Sequence, residues 1–342
     1  MNSRWAFFFK MVLVLLFAAL LVQELGSGDK LRSAWAAFRV QWAGANVWWA
    51  AAALALLPLN WGAETQKWLL LLRVFSPAAS WGLALRGVLA GVSLAVFTPN
   101  RLGEFAGRVL LVPPELRWRA AAVNVVSTLS QTLVVLAAGG LGLWWFVRQV
   151  LRPEPFYAGA VAVLTAVGVA ALFFFYFQIR LLVPALRRLR WLRSWARLRK
   201  ERWPWLGKQL RLLLRGVAVL GRLEQRTLWA VLGWAAFRYA VYSAQYFFLL
   251  QFFGVQTGIW GGLAGISTLF LLQTGIPLPP AMGLVARGSL AVQVWSQFGA
   301  NEVSSLSATF TLWIINLILP ALVGTFFLLN VHTNKALRYE HD

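Results

Sequence analysis

Six long apolar runs, each bounded by charged residues, constrain this chain more than any other feature. A helix rises 1.5 Å per residue, so about 20 apolar residues cross a hydrocarbon layer of about 30 Å. The six runs have that length. They are residues 7–25, 47–72, 120–145, 156–179, 228–253 and 306–329. The sequence therefore predicts an all-α polytopic membrane protein with about six full transmembrane helices in a single membrane domain over residues 1–342.

Two further apolar stretches, residues 78–116 and 259–298, are interrupted near their middle. Thr98-Pro99-Asn100-Arg101 breaks the first stretch, and Pro277-Leu278-Pro279-Pro280 breaks the second. Proline removes a backbone donor and ends helices, so both stretches are predicted to form broken helical hairpins. A re-entrant hairpin and a pair of full crossings both return the chain to its starting side, so both remain open.

Charge sets the orientation of these segments. Residues 180–226 hold fourteen Lys and Arg but only two acidic residues, Glu201 and Glu224. Basic loops stay in the cytoplasm, so the N-terminus and the tail at residues 331–342 are predicted to be cytoplasmic at the bacterial inner membrane. The hairpins then enter from opposite sides, one in the first half (1–179) and one in the second (227–330). This arrangement predicts an inverted repeat.

Composition excludes several chemistries. The chain has no cysteine and only two histidines, both in its terminal tail, so we expect no disulfide, metal site or cofactor. A charge of +21 would favour nucleic acid in a soluble protein, but 60% of these residues are hydrophobic. We therefore expect no nucleic acid, and we expect residues 180–226 to contact the anionic leaflet.

Ionisable residues at membrane depth are costly and form the candidate site. Glu64 and Lys67 lie three positions apart and are predicted to share a helix face. The pair can form one wall of a head-group site. Alternatively, it neutralises itself or the lysine extends to the interface.

The first hairpin supplies a second set of candidates, namely Asn100, Arg101, Glu104 and Arg108. Arg101, Glu104 and Arg108 recur at three and four residues, which places them on one helix face. Arginine binds phosphate oxygens through two parallel hydrogen bonds, and a helix that begins after the break adds free N–H donors. The alternative is an ordinary basic loop at the surface.

Two more arginines lie in the second half. Arg238 is at the middle of the run 228–253 and needs an anion, either Glu64, Glu104 or a lipid phosphate. Arg287 follows the proline-rich break and is a binding residue or an interfacial anchor. A stripe of Asn124, Thr128 and Gln131 predicts hydrogen bonds between helices.

These segments together resemble the transmembrane region of lysylphosphatidylglycerol synthases, the flippase-like domain, over nearly the whole chain. The most specific element is Thr98-Pro99-Asn100-Arg101-Leu102-Gly103-Glu104, which is similar to the family's Thr-Pro-x-Arg-x-Gly-Glu. The resemblance implies a protein that moves anionic, aminoacylated or polyprenyl-linked phospholipids between leaflets. The family's soluble aminoacyl-transferase domain is not found after the last run, so synthesis of lysyl-lipid is not expected.

Two alternative functions remain open. A membrane glycosyltransferase or lipid-modifying transferase that uses a polyprenyl-phosphate donor would need carboxylates outside the membrane. The loops predicted to face outwards offer Asp29, Glu154 and Glu302, so we expect no enzyme. A non-transporting subunit could instead use residues 180–226 to dock a partner enzyme, and a homo-oligomer is a further alternative.

Overall fold

The computed structural model describes residue 36 and residues 47–96, 98, 102–151, 155–181, 216, 218–275 and 283–328. Within these ranges the secondary structure is helical, without strands, as predicted. The α-helices are α1 Val47–Ala55, α2 Leu57–Arg73, α3 Trp81–Ala95, α4 Leu102–Leu110, α5 Arg117–Phe146, α6 Pro155–Phe177, α7 Gln225–Phe252, α8 Ile259–Thr274, α9 Leu284–Ser296 and α10 Glu302–Trp313. The predicted span 7–25, most of the basic segment 180–226 and the tail 331–342 lie outside the described residues.

In the part of the chain that the structure describes, three helices are long and apolar enough to cross a membrane, as in a membrane protein. They are the helix Pro114–Leu151, which contains α5, the helix Phe156–Phe177 within α6, and the helix Glu302–Leu328, which continues α10. They correspond to the predicted runs 120–145, 156–179 and 306–329. Five-residue π-helical turns occur at Val147–Leu151 and Ile314–Ile318. The side chains of α6 that face outwards are apolar, as lipid contact requires.

The other two described runs form helices with different boundaries. The predicted span 47–72 is divided into α1 and α2 at Leu56, and Pro58 lies in the first turn of α2. Proline is favoured at this position because the first turn needs no N–H partner. Helix α7 has 28 residues and is therefore about 42 Å long, which is ample for a crossing.

The first hairpin consists of α3 and α4. With 15 and 9 residues, its arms are about 22 and 14 Å long, shorter than the 30 Å of hydrocarbon. The arms are in backbone contact, since a Cβ built on Gly107 would lie 2.5 Å from the carbonyl carbon of Ala90. The backbone N–H of Gly103 donates to Oγ1 of Thr98 at 2.6 Å and so caps the start of α4. The hairpin is therefore tightly packed, and both of its described arms are shorter than a full crossing.

The second hairpin consists of α8 and α9, and its arms have 16 and 13 residues. They are about 24 and 20 Å long, again shorter than a full crossing. The predicted proline-rich tip falls in residues 276–282, outside the described ranges.

The two halves pack against each other in a reciprocal way. Helix α5, which follows the first hairpin, contacts α8 of the second: a Cβ built on Gly142 would lie 2.6 Å from Cβ of Ser267. The continuation of α10, which follows the second hairpin, contacts α3 of the first, where a Cβ on Gly324 would overlap the carbonyl of Leu89. We call this arrangement the reciprocal packing. Helix α5 thus packs against the first arm of the second hairpin, and the continuation of α10 packs against the first arm of the first hairpin.

Candidate functional site

A cluster of five ionised side chains is assembled from three helices. It comprises Glu64 and Lys67 of α2, Glu104 and Arg108 of α4, and Arg238 of α7, and we call it the charge cluster. Glu64 is its centre. One carboxylate oxygen lies 2.6 Å from NH2 of Arg108, and the other lies 2.8 Å from Nζ of Lys67 and 3.0 Å from NH1 of Arg238.

Arg108 is held by protein groups on several sides. Its NH2 group also pairs with Glu104, and its NH1 group donates to Oδ1 of Asn124 at 3.1 Å and to Oγ of Ser127 at 3.3 Å. The guanidinium stacks over the ring of Trp68, 5.5 Å from its centroid. The side chain is only 2% exposed, so Arg108 is an internal member of the cluster. The predicted common face of Glu104 and Arg108 is confirmed.

Arg238 is the most exposed cation of the charge cluster. Its side chain is 17% exposed, compared with 2% for Lys67 and for Arg108, while the carboxylate side chain of Glu104 is 19% exposed. It donates from Nε to Oδ1 of Asn60 at 3.2 Å and from NH1 to Oε1 of Gln131 at 3.5 Å. The anion that a buried arginine requires is therefore supplied in part by Glu64.

Two members of the charge cluster, Glu64 and Arg238, lie well inside the helices that carry them. Glu64 is nine residues from the end of α2, and Arg238 is thirteen from the start of α7, or about 14 and 20 Å along the helix axes. Because α2 belongs to the first half and α7 to the second, the Glu64–Arg238 pair joins the two halves.

Amides surround the ionised groups. Nδ2 of Asn60 donates to Oδ1 of Asn316 at 2.5 Å, which connects α2 to the π-helical turn after α10. Gln131 accepts from Nζ of Lys67 at 3.5 Å as well as from Arg238. The predicted polar stripe of α5 is thus confirmed for Asn124 and Gln131. Thr128 instead donates to the carbonyl of Asn124 in its own helix, at 3.1 Å.

Sequence reasoning missed Asn60, Ser127 and Asn316 as site residues. A signal was present for Asn60, which precedes Glu64 by four positions and Lys67 by seven and so lies on the same helix face. Ser127 likewise lies between Asn124 and Gln131 at helical spacing. Asn316 had no local signal, because its partner is in the other half of the chain.

Three of the predicted site residues are not brought to the cluster by the described contacts. Asn100 and Arg101 lie outside the described residues. Arg287 lies half-buried on α9, which packs against α8 and α10. Lipid binding by any of the eight predicted residues stays a prediction.

The described part of the chain contains no group of three or more His, Cys, Asp or Glu side chains that could hold a metal ion. The site is instead an ion-pair network of carboxylates, guanidinium groups and one ammonium group inside a membrane protein.

This fold and site define a class, namely a helical membrane protein with short hairpins and a buried charge cluster where its halves meet. The family model described as the lysylphosphatidylglycerol synthase TM region matches residues 6–324, and the chain belongs to that family. No curated protein matches the chain, and no solved structure matches it. The family connects this membrane protein with lipids.

Proposed function

We propose that this protein is a flippase that moves a phospholipid or polyprenyl-linked lipid between the leaflets of the bacterial inner membrane. The observation that carries the proposal is the charge cluster, in which Glu64 holds three cations at the junction of the two halves. Ionised groups at membrane depth are expensive and mark substrate pathways. A polar head group needs such a site on its way across, while its acyl chains stay in lipid.

In this mechanism the head group reaches the cluster from the side of Arg238, the most exposed of the three described cations. Its phosphate accepts hydrogen bonds from Arg238, while Glu64 keeps the guanidinium in place. Asn100 and Arg101, which lie between α3 and α4 in the sequence, receive the head group from the cytoplasmic leaflet. Arg287 has the corresponding role in the second hairpin.

The proposed architecture is an inverted repeat of about six spans and two re-entrant hairpins. Its support is the shortness of all four hairpin arms and the reciprocal packing, which relates each hairpin to the long helix after the other. In transporters such repeats place the substrate site near the midplane, between the halves.

This topology can be tested with single cysteines, because the natural chain has none. Ala78 and Gln256 are exposed in loops. The proposed topology places Ala78 on the cytoplasmic side of the membrane and Gln256 on the outer side. In inverted membrane vesicles, we expect a membrane-impermeant maleimide to label Ala78→Cys and to leave Gln256→Cys unlabelled until detergent is added. Labelling of both sites in sealed vesicles would contradict the proposed orientation.

The transport function can be tested in proteoliposomes. Phospholipids with a fluorophore on one acyl chain are incorporated, and dithionite then quenches those in the outer leaflet. Vesicles with the protein, with or without a proton gradient, are expected to lose most of the protected fluorescence, whereas empty vesicles retain about half. Equal retention in both would overturn the movement of phospholipids, and the same assay with a fluorescent polyprenyl phosphate then decides the remaining part of the proposal. A transferase is tested in the same vesicles after a polyprenyl-phosphate sugar donor has been added, because group transfer then raises the mass of the recovered lipids in mass spectrometry.

A further inference from the structure

The charge cluster is not electrically balanced. Lys67, Arg108 and Arg238 provide three positive charges, whereas Glu64 and Glu104 provide two negative charges. Among the described residues the cluster therefore carries one excess positive charge. An uncompensated charge away from water is unfavourable, so this arrangement needs an additional anion.

The excess charge is accessible at Arg238. Lys67 and Arg108 are 2% exposed, whereas Arg238 is 17% exposed and its NH2 group has no hydrogen-bond partner in the described part of the chain. Its Nε and NH1 groups are already fixed by Asn60, Gln131 and Glu64. The guanidinium is thus oriented by three protein acceptors, with one end available to a ligand.

The cluster and its aromatic neighbours also contain buried N–H donors without an acceptor. Within the described residues, Nε of Arg108 and Nε1 of Trp61 are buried without a hydrogen-bond partner. Trp61 lies directly beside the accessible arginine, since the Arg238 guanidinium is 5.9 Å from its ring centroid. A phosphodiester has only acceptor oxygens and can satisfy such donors. An ammonium group has only donors and cannot.

We propose that the charge cluster selects a lipid head group that carries a phosphate and no ammonium group, and that it rejects aminoacylated lipids. This inference rests on the proposed transport function and chooses among the lipids which that function allows. A phosphatidylglycerol-type head group brings one negative charge and neutralises the cluster. A lysylated head group brings a net positive charge and places two ammonium groups beside three cations.

The test compares lipids in proteoliposomes that contain the full wild-type chain. Phosphatidylglycerol, lysylphosphatidylglycerol and phosphatidylethanolamine, each with an acyl-chain fluorophore, are followed by dithionite quenching. We expect phosphatidylglycerol to move at least about ten-fold faster than the lysylated lipid, because like charges placed together cost several kcal/mol. Equal or faster movement of the lysylated lipid or of phosphatidylethanolamine, relative to phosphatidylglycerol, overturns the selectivity and leaves transport standing. If none of the three lipids moves, transport of phospholipids fails and the selectivity fails with it.

A charge variant connects the selectivity to Arg238. Arg238→Gln removes the excess charge, so the ratio of the two rates is expected to fall towards one. Arg226→Gln is the matched control, since Arg226 is an exposed arginine in the first turn of the same helix and its loss should leave the ratio unchanged. An unaltered ratio in monodisperse Arg238→Gln overturns the role of Arg238. If that variant fails to fold, the wild-type comparison decides the selectivity alone.

A water-soluble phosphate, rather than a lipid, is tested as the ligand in parallel. Radiolabelled inorganic phosphate is supplied outside the same vesicles, and its accumulation inside is measured. We expect none above empty vesicles. Accumulation of phosphate without movement of phosphatidylglycerol would overturn the assignment of the site to a lipid.

Discussion

Replacing Glu64 with glutamine is expected to destabilise the protein and to stop lipid movement. The carboxylate of Glu64 contacts the buried cations Lys67 and Arg108 and the partly exposed Arg238, so its neutralisation leaves these three cations with one described carboxylate, that of Glu104. Removing one partner of a buried ion pair costs about 3–5 kcal/mol. We expect a lower unfolding temperature in detergent and at least a ten-fold slower movement of lipid in proteoliposomes, a factor that corresponds to about 1.4 kcal/mol.

The control for this variant is Glu115→Gln. Glu115 is exposed on the short turn Pro114–Leu116 between the first hairpin and α5, and the same change of charge there should alter neither property. A Glu64→Gln protein that unfolds and moves lipid like the Glu115→Gln protein would show that the carboxylate does not organise the cluster.

Replacing Gly107 with alanine is expected to separate the arms of the first hairpin. The added Cβ would lie 2.5 Å from the carbonyl carbon of Ala90 and would overlap the backbone of Gly91, neither of which is a flexible side-chain end. Overpacking of this kind costs about 3 kcal/mol. Because Arg108 is the next residue, its guanidinium should move away from Glu64. We expect a lower unfolding temperature together with slower lipid movement.

Gly82→Ala provides the control within the same hairpin. A Cβ at Gly82 has nothing within 4 Å, and alanine favours helices more than glycine does. This variant should unfold at the same temperature as the wild type or slightly above it. If Gly107→Ala behaves in the same way, the arms are not in backbone contact.

Local spacing explains which parts of the charge cluster could be predicted from the sequence. Glu64 and Lys67, three residues apart, and Glu104 and Arg108, four apart, form the expected pairs because helix geometry brings such positions together. The sequence also indicates Glu64 as one of the anions that could pair with Arg238. It could not choose between Glu64 and Glu104, since that choice depends on how α2, α4 and α7 pack.

Long-range packing explains what could not be predicted. The hydrogen bond from Asn60 to Asn316 joins residues in opposite halves of the chain. Neither residue has a charge or a spacing that indicates the other. The only sequence signal for the division of the span 47–72 at Leu56 is Pro58. Proline is also tolerated inside continuous membrane helices, so this signal does not predict a break. The lengths of the hairpin arms likewise depend on where each helix begins and ends, which hydropathy does not specify.

Helix α5 contacts both the charge cluster and the second hairpin. Gln131 accepts hydrogen bonds from Lys67 and Arg238, and Gly142, eleven residues or about 16 Å further along the same helix, touches α8. Helix α5 is unbroken over its 30 residues. A tilt of this helix at the charge cluster would therefore also displace its contact with α8. Under the proposed transport function, we expect the arrival of a head group beside Arg238 to shift α8 in the second hairpin.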